Sequence, residues 1–254
     1  MVDVSVSGRG HAARVSLAPG GSAVNAAFWA AAEGADATVV GRIGDDLAGR
    51  ALRTELERRA VRTALSVDTE APTGTFLIVD GDVRADRGAN AMVEPAHLPD
   101  RIEADAVLVS GYLPAETVAA AIERALAAWV ALAPGRLGAL PPGADAVLVD
   151  EDEALRLTGG RPEEAARILA RDFRLVCVTR GPEGVVAILD GREESRTVPV
   201  VEGGRTFGAG DAFAAALLVA LVRGLELGDA LEHGCRLGAA AVRTAPPIAA
   251  GVSA

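Results

Sequence analysis

Residues 203–213 read Gly203-Gly204-Arg205-Thr206-Phe207-Gly208-Ala209-Gly210-Asp211-Ala212-Phe213, a glycine-rich turn that runs directly into an apolar stretch. Small residues let a backbone come close to an anion, and the first N–H groups of a helix have no partner inside it. The aligned peptide dipoles add positive potential at the same point. Asp211 falls on the first helical turn. A carboxylate beside an anion site is unfavourable unless it has work to do. One reading makes Asp211 the base that accepts a proton from an attacking hydroxyl while the amides hold a phosphoryl group. The other makes it a helix cap. This segment alone leaves both open.

Outward from it, strand-like and helix-like runs alternate along the chain. Two long helices close it, over about 209–223 and 227–243, behind a hairpin over 184–200 that turns at Asp190-Gly191. Upstream, strands are expected at 38–41, 105–110, 129–132, 146–149 and 174–179. Helices are expected at 23–33, 46–60, 115–128, 151–157 and 162–171. Such alternation predicts an α/β fold with a mostly parallel sheet covered on both faces. The polar, alternating strands at 2–7 and 13–18, and the hairpin of 73–80 and 82–86, fall outside that rhythm and predict a separate small sheet.

Other segments place chemistry on this frame. Gly20-Gly21-Ser22-Ala23-Val24-Asn25 is a second glycine turn entering a helix; by itself it reads as a plain turn with a surface Asn, or else as a ligand turn in which Asn25, one turn in, donates to and accepts from sugar hydroxyls. Gly41-Arg42-Ile43-Gly44-Asp45-Asp46 reads as strand, turn and capped helix, a packing role.

Composition limits the chemistry further. The chain has 254 residues, half of them hydrophobic, and a formal net charge of −10. A polyanionic nucleic acid is therefore not an expected partner. All 25 basic residues are arginine, so a lysine-bearing P-loop and Schiff-base catalysis are excluded. Cys177 and Cys235 are expected to be buried thiols, and His11, His97 and His233 lack metal-ligand spacing. With no signal peptide or membrane span in the sequence, a soluble, cytoplasmic protein is expected.

The order GGSAVN, then GRIGDDLAG, then TFGAGDAF resembles the PfkB or ribokinase-like carbohydrate kinases over nearly the whole chain. The resemblance implies a single three-layer α/β/α domain over 1–254, with a small β lid built from roughly 3–18 and 62–90. It also implies an ATP-dependent kinase for a sugar, using Mg2+. Asp211 would be the base and the amides of Gly208, Ala209 and Gly210 the anion hole. Asp3, Gly20, Gly21, Asn25 and Asn90 would bind the sugar, and Asp150, Thr179, Gly181 and Gly184 the nucleotide. Glu153 would position magnesium through water. A homodimer through the lid is a further implication.

The sequence departs from that family at several points. Arg205 replaces an aspartate that helps bind a monovalent cation, so that ion site is expected to be lost and activity to be independent of potassium. Asp150 replaces an asparagine. Ser22 replaces the lysine of ribokinases proper, which favours a fructose-like or keto-deoxy sugar over ribose. Only Met1 and Val2 precede Asp3, where the family has a full strand, so either an upstream start or a missing central strand is expected. Two other readings stand beside the sugar kinase. One is a nucleoside kinase, with Phe28, Trp29, Phe76 or Tyr112 stacking on the base. The other is a non-catalytic relative that binds sugar or nucleotide.

Overall fold

The computed structural model describes residues 1–9, 12–79, 82–199, 201 and 207–243. It divides into two compact units, one over Met1–Leu98 and one that begins at Pro99.

The first unit contains β1 (Val2–Arg9), β2 (Ala12–Pro19), α1 (Ser22–Ala32), β3 (Thr38–Gly44), α2 (Leu47–Arg58), β4 (Arg62–Asp68), β5 (Thr73–Val79) and β6 (Asp82–Gly88). A four-stranded sheet runs in the order β2-β1-β5-β6. β1 pairs antiparallel with β2 and parallel with β5, so that Asp3 lies opposite Ala18 on one side and Phe76 on the other. β3 and β4 form a separate parallel pair, from Thr38 opposite Arg62 to Gly44 opposite Asp68. The sequence reading grouped 62–68 with the small sheet. The structure corrects this: α2 crosses between β3 and β4, as a parallel pair requires, and β5 and β6 alone continue the small sheet.

α2 is amphipathic. Leu52 and Leu56 are buried among Val24, Phe28, Val39 and Ile43 while its arginines face water. Burying a leucine such as Leu56 contributes about 1.5–3 kcal/mol. Asp46 caps the helix, accepting from the Gly49 amide at 2.7 Å, and its second oxygen accepts from the Thr73 amide at 2.7 Å. The packing role expected of the GRIGDDLAG segment is the one the structure gives it.

The second unit contains β7 (Ile102–Glu103), β8 (Ala106–Ser110), α3 (Ala115–Arg124), β9 (Ala125–Leu126), β10 (Trp129–Ala133), β11 (Ala146–Asp150), α4 (Glu151–Thr158), α5 (Pro162–Leu169), β12 (Leu175–Thr179), β13 (Val185–Leu189), β14 (Arg192–Arg196), α6 (Ala209–Val222) and α7 (Leu227–Arg243). Its six-stranded sheet has the order β14-β13-β12-β11-β10-β8. β8, β10, β11 and β12 are parallel, and β13 and β14 return antiparallel through a two-residue turn with positive φ at both Asp190 and Gly191.

Alternation along these strands sends side chains to both faces. Ala131, Leu148, Leu175 and Cys177 join the cluster formed with Phe213, Leu217 and Leu231 of α6 and α7. Leu132, Val147, Val149, Val176 and Val178, of opposite parity, are also buried. α4 and α5 pack on β11, β12 and β13. The result is helices, sheet, helices. α6 is apolar around nearly its whole circumference and correspondingly buried.

α3 was expected to run to 128 and stops at Arg124, because Ala125 and Leu126 pair with Ile102 and Glu103. Strand pairing here overrides the helix preference of the alanines. Both cysteines are buried thiols. No helix among the described residues is long and apolar enough to cross a membrane.

Candidate active site

In the second unit the carboxyl ends of β8, β10, β11 and β12 share one edge of the sheet, the edge where open α/β sheets bind ligands. Four segments bring chemistry to those ends or to the start of a helix.

Gly208 is the N-cap residue before α6, with φ of 85° and ψ of −2°, a left-handed conformation that glycine adopts without strain. Ala209, Gly210 and Asp211 form the first turn, and a Cβ built on Gly210 would meet open space. Asp211 is the acidic residue of that turn. The start of α6 is positioned from behind by α7. A Cβ at Gly234 would come within 2.8 Å of the Phe213 ring, and one at Gly238 within 3.2 Å of the Ala209 carbonyl. Two glycines on α7 thus allow the close approach that seats the turn carrying Asp211.

Asp150 ends β11 and caps α4. Its Oδ1 accepts from the Glu153 amide at 2.8 Å, and Glu153 Oε2 accepts from the Asp150 amide at 3.2 Å, a reciprocal capping box. The Gly135 amide also donates to Glu153. Burial first, and the Asp150 charge second, raise the Glu153 carboxyl from 4.5 to about 7.

Tyr112 follows β8. Its ring lies against Gly135, where a Cβ would come within 3.1 Å of it. Burial raises the phenol above its usual value, and the charges of Glu153, Asp211 and Asp150 raise it further against the opposing effect of Arg136. Tyr112 thus marks the place where the three acidic positions read from the sequence come together. Arg156 donates to the carbonyls of both Gly135 and Leu137, tying this loop to α4. Sequence reasoning offered Tyr112 only as a stacking ring and passed over Arg136. The Gly111-Tyr112 pair at a strand end was the signal available.

Thr179 ends β12 opposite Asp150, and its hydroxyl donates to the Val149 carbonyl at 3.3 Å. Gly181 and Gly184 both have positive φ, in the turn between β12 and β13. A Cβ at Gly184 would overlap the Arg196 carbonyl, so the close strand approach accounts for this glycine by itself.

In the first unit Asp3 and Gly20 are in intimate contact, because a Cβ on Gly20 would overlap the Asp3 carboxylate. Gly20 donates to the Met1 carbonyl at 3.0 Å, and Gly21, with φ of 94°, starts α1. Asn25 lies one turn in, its amide bonded to the Gly21 carbonyl. Asn90 sits in a 3₁₀ turn over Ala89–Met92, its Oδ1 3.7 Å from where a Cβ of Gly41 would be. Asp3, Gly20, Gly21 and Asn25 are therefore neighbours, and Asn90 is held against β3.

Two of the aromatic candidates are core residues. Phe28 is 2% exposed and Trp29 5% exposed, so neither can stack on a ligand. Arg205, and with it the monovalent-cation argument, lies outside the described residues, as do residues 80 and 81 of the hairpin expected over 73–86.

A divalent ion fits the second unit by donor chemistry. Glu153 and Asp150 supply hard carboxylate oxygens, and the carboxyl of Glu153, raised first by burial and second by the Asp150 charge, is one that a nearby cation would bring down. Among the described residues no group of three or more acidic, histidine or cysteine side chains could enclose a metal.

The sequence pattern of the pfkB family carbohydrate kinases matches residues 3–250, and the chain belongs to that family. It is 29% identical to ribokinase of Bacillus subtilis, over 88% of this chain and 81% of that protein. It is 28% identical to fructokinase of Vibrio alginolyticus, over 81% of this chain and 77% of that one. The crystal structure of ribokinase from Thermotoga maritima superposes with a TM-score of 0.85 at 22% identity, covering 99% of this chain and 94% of that one. Kinases of this family are ATP-dependent sugar kinases that use a divalent metal.

Proposed function

We propose that the protein moves the γ-phosphoryl group of ATP to a hydroxyl of a fructose-like or keto-deoxy sugar, with Asp211 as general base. The observation that carries this is the placing of Asp211 on the first turn of α6, three residues after the left-handed Gly208. In this reading Asp3, Gly20, Gly21, Asn25 and Asn90 bind the sugar. Asp150, Thr179, Gly181 and Gly184 bind the nucleotide.

The accepting hydroxyl gives its proton to the Asp211 carboxylate as its oxygen forms a bond to the γ-phosphorus. The bond from that phosphorus to the β–γ bridging oxygen breaks, and ADP leaves. The N–H groups of Gly208, Ala209 and Gly210 face the charge that spreads over the transferring group. Glu153 would hold Mg2+ through water, with Asp150 beside it. When bound, that ion offsets charge on the phosphates. The fructokinase relative supports a fructose-like acceptor.

A nucleoside acceptor would require a ring to stack on. Phe76, opposite Asp3, is the aromatic of the first unit in position to serve. Val15, Leu17 and Val79 are exposed on the face of the small sheet opposite Asp3, which supports pairing of two copies through it. Light scattering of Leu17→Glu beside wild type tests that pairing: a dimer that becomes a monomer supports it, and a monomeric wild type overturns it.

The deciding experiment is ADP release across sugars and nucleosides with magnesium, for wild type and Asp211→Asn. Turnover on one acceptor, lost by about 10²–10⁴-fold in the variant, supports the reading. Acceptor-dependent turnover unchanged in the variant overturns the base assignment.

A further inference from the structure

We infer that the acceptor carries an anionic group, a phosphate or a carboxylate, and that Arg87 recognises it. This rests on the sugar-kinase reading above and names the substrate class it left open. Side chains two apart on a strand share a face. The register of the small sheet therefore puts Ala18, Asp3, Phe76 and Ala85 in one row of that face. The adjacent row on the same face holds Met1, Gly74 and Arg87. Thr75 pairs with Asp86, so Gly74 pairs with Arg87, and a Cβ on Gly74 would meet the Arg87 carbonyl at 2.5 Å and Met1 Cγ at 3.0 Å. Arg87 thus stands one row from Asp3 on the same face of the sheet. The Met1 side chain lies over Gly74, and the Asp3 carboxylate lies over Gly20.

The guanidinium has a vacant hydrogen-bonding capacity there. Arg87 Nη2 is buried and has no hydrogen-bond partner among the described residues. Arg42, Arg50, Arg58, Arg59 and Arg62 of the same unit are each committed to a carboxylate, whereas Arg87 makes no ion pair among the described residues. A buried guanidinium nitrogen without a partner is unfavourable, and an anionic oxygen of a ligand would satisfy it. In a chain with no lysine, arginine is the side chain left to bind an anion, and its planar fork matches phosphate and carboxylate alike.

Calorimetric binding without nucleotide tests this, using fructose 1-phosphate and fructose 6-phosphate as phosphate probes, 2-keto-3-deoxygluconate as the carboxylate probe and fructose as the neutral one. At least one anionic probe is expected to bind wild type about tenfold or more tighter than fructose. The probe that does so identifies which anion is read. Arg87→Met is expected to remove that margin while leaving fructose binding unchanged. Without ligand its melting temperature should hold or rise, because a buried donor without a partner has gone. An arginine that only braces the fold would instead lower it. Should the methionine variant fail to fold, Arg87→Gln carries the same comparison. Neutral and anionic probes binding equally, an anionic margin that survives loss of Arg87, or no binding of any probe overturns the inference. Binding is measured apart from catalysis, so Arg87-dependent anion binding without ADP release sinks the kinase reading alone. Turnover of fructose indifferent to Arg87, with no anionic preference, sinks this inference alone.

Discussion

The Asp3 carboxylate occupies the space in which any residue but glycine at position 20 would carry its side chain. The two residues come from different elements, Asp3 from β1 and Gly20 from the turn between β2 and α1, and each restricts the other. Gly20→Ala is expected to expel the Asp3 carboxylate from its place. If Asp3 binds acceptor hydroxyls, the variant raises KM for the sugar by about tenfold or more while the KM for ATP holds, since one or more charge-assisted hydrogen bonds are lost. Steady-state kinetics with each substrate varied in turn check this. A change confined to the ATP KM would refute it.

Glu153 sets a pH dependence with a definite sign. Its carboxyl is raised from 4.5 to about 7. A raised carboxyl contributes stability below the unfolded value, and this is lost as pH rises through the folded one, because the folded state holds the proton longer. Glu153→Gln, which stays neutral, should therefore gain melting temperature over wild type at pH 8 and not at pH 5. The ion, by contrast, requires the ionised form. Apparent magnesium affinity in wild type is expected to climb from pH 6 to 8 and flatten above. In the glutamine variant that slope should vanish.

At Gly234 the expectation concerns packing and catalysis together. A methyl group there would press on the Phe213 ring, two residues from Asp211. Gly234→Leu should destabilise the fold by about 1–3 kcal/mol through overpacking. It should also lower kcat more than it raises either KM, because the turn bearing the base shifts. Melting and kinetics measured together decide it; a loss of stability with kcat intact would separate α7 from the site.

Asp46 offers a stability test away from the chemistry. Its two oxygens cap α2 and hold the Thr73 amide. Asp46→Ala is expected to lose about 1–2 kcal/mol, while Asp46→Asn, which can still cap, loses less. Denaturant titration of both variants checks the order.

Much of this was legible in the sequence because the signals were local. The Asp190-Gly191 turn, the Asp46 cap and the glycine entry to α6 each depend on residues a few positions apart. So did the acidic start of α4, although its reciprocal bonds could not be read from composition. Unread were features set by partners distant in sequence. β4 looked like its small-sheet neighbours until β3 claimed it. Ala125 and Leu126 read as helix until pairing with Ile102 and Glu103. Trp29 looked like a stacking ring, and only packing puts it in the core. The gathering of Asp150, Glu153 and Asp211 about Tyr112 depends on four separate segments, so no single stretch of the chain announces it.

Tyr112 is the one tyrosine in the chain. Burial first, and the acidic groups around it second, hold its phenol above the usual value, so its ultraviolet ionisation band is a built-in electrometer for that neighbourhood. A cation bound near Glu153 should draw the absorbance titration toward lower pH, and an added anion should push it higher. The occupancy of the site could then be followed by colour alone, with no label and no turnover.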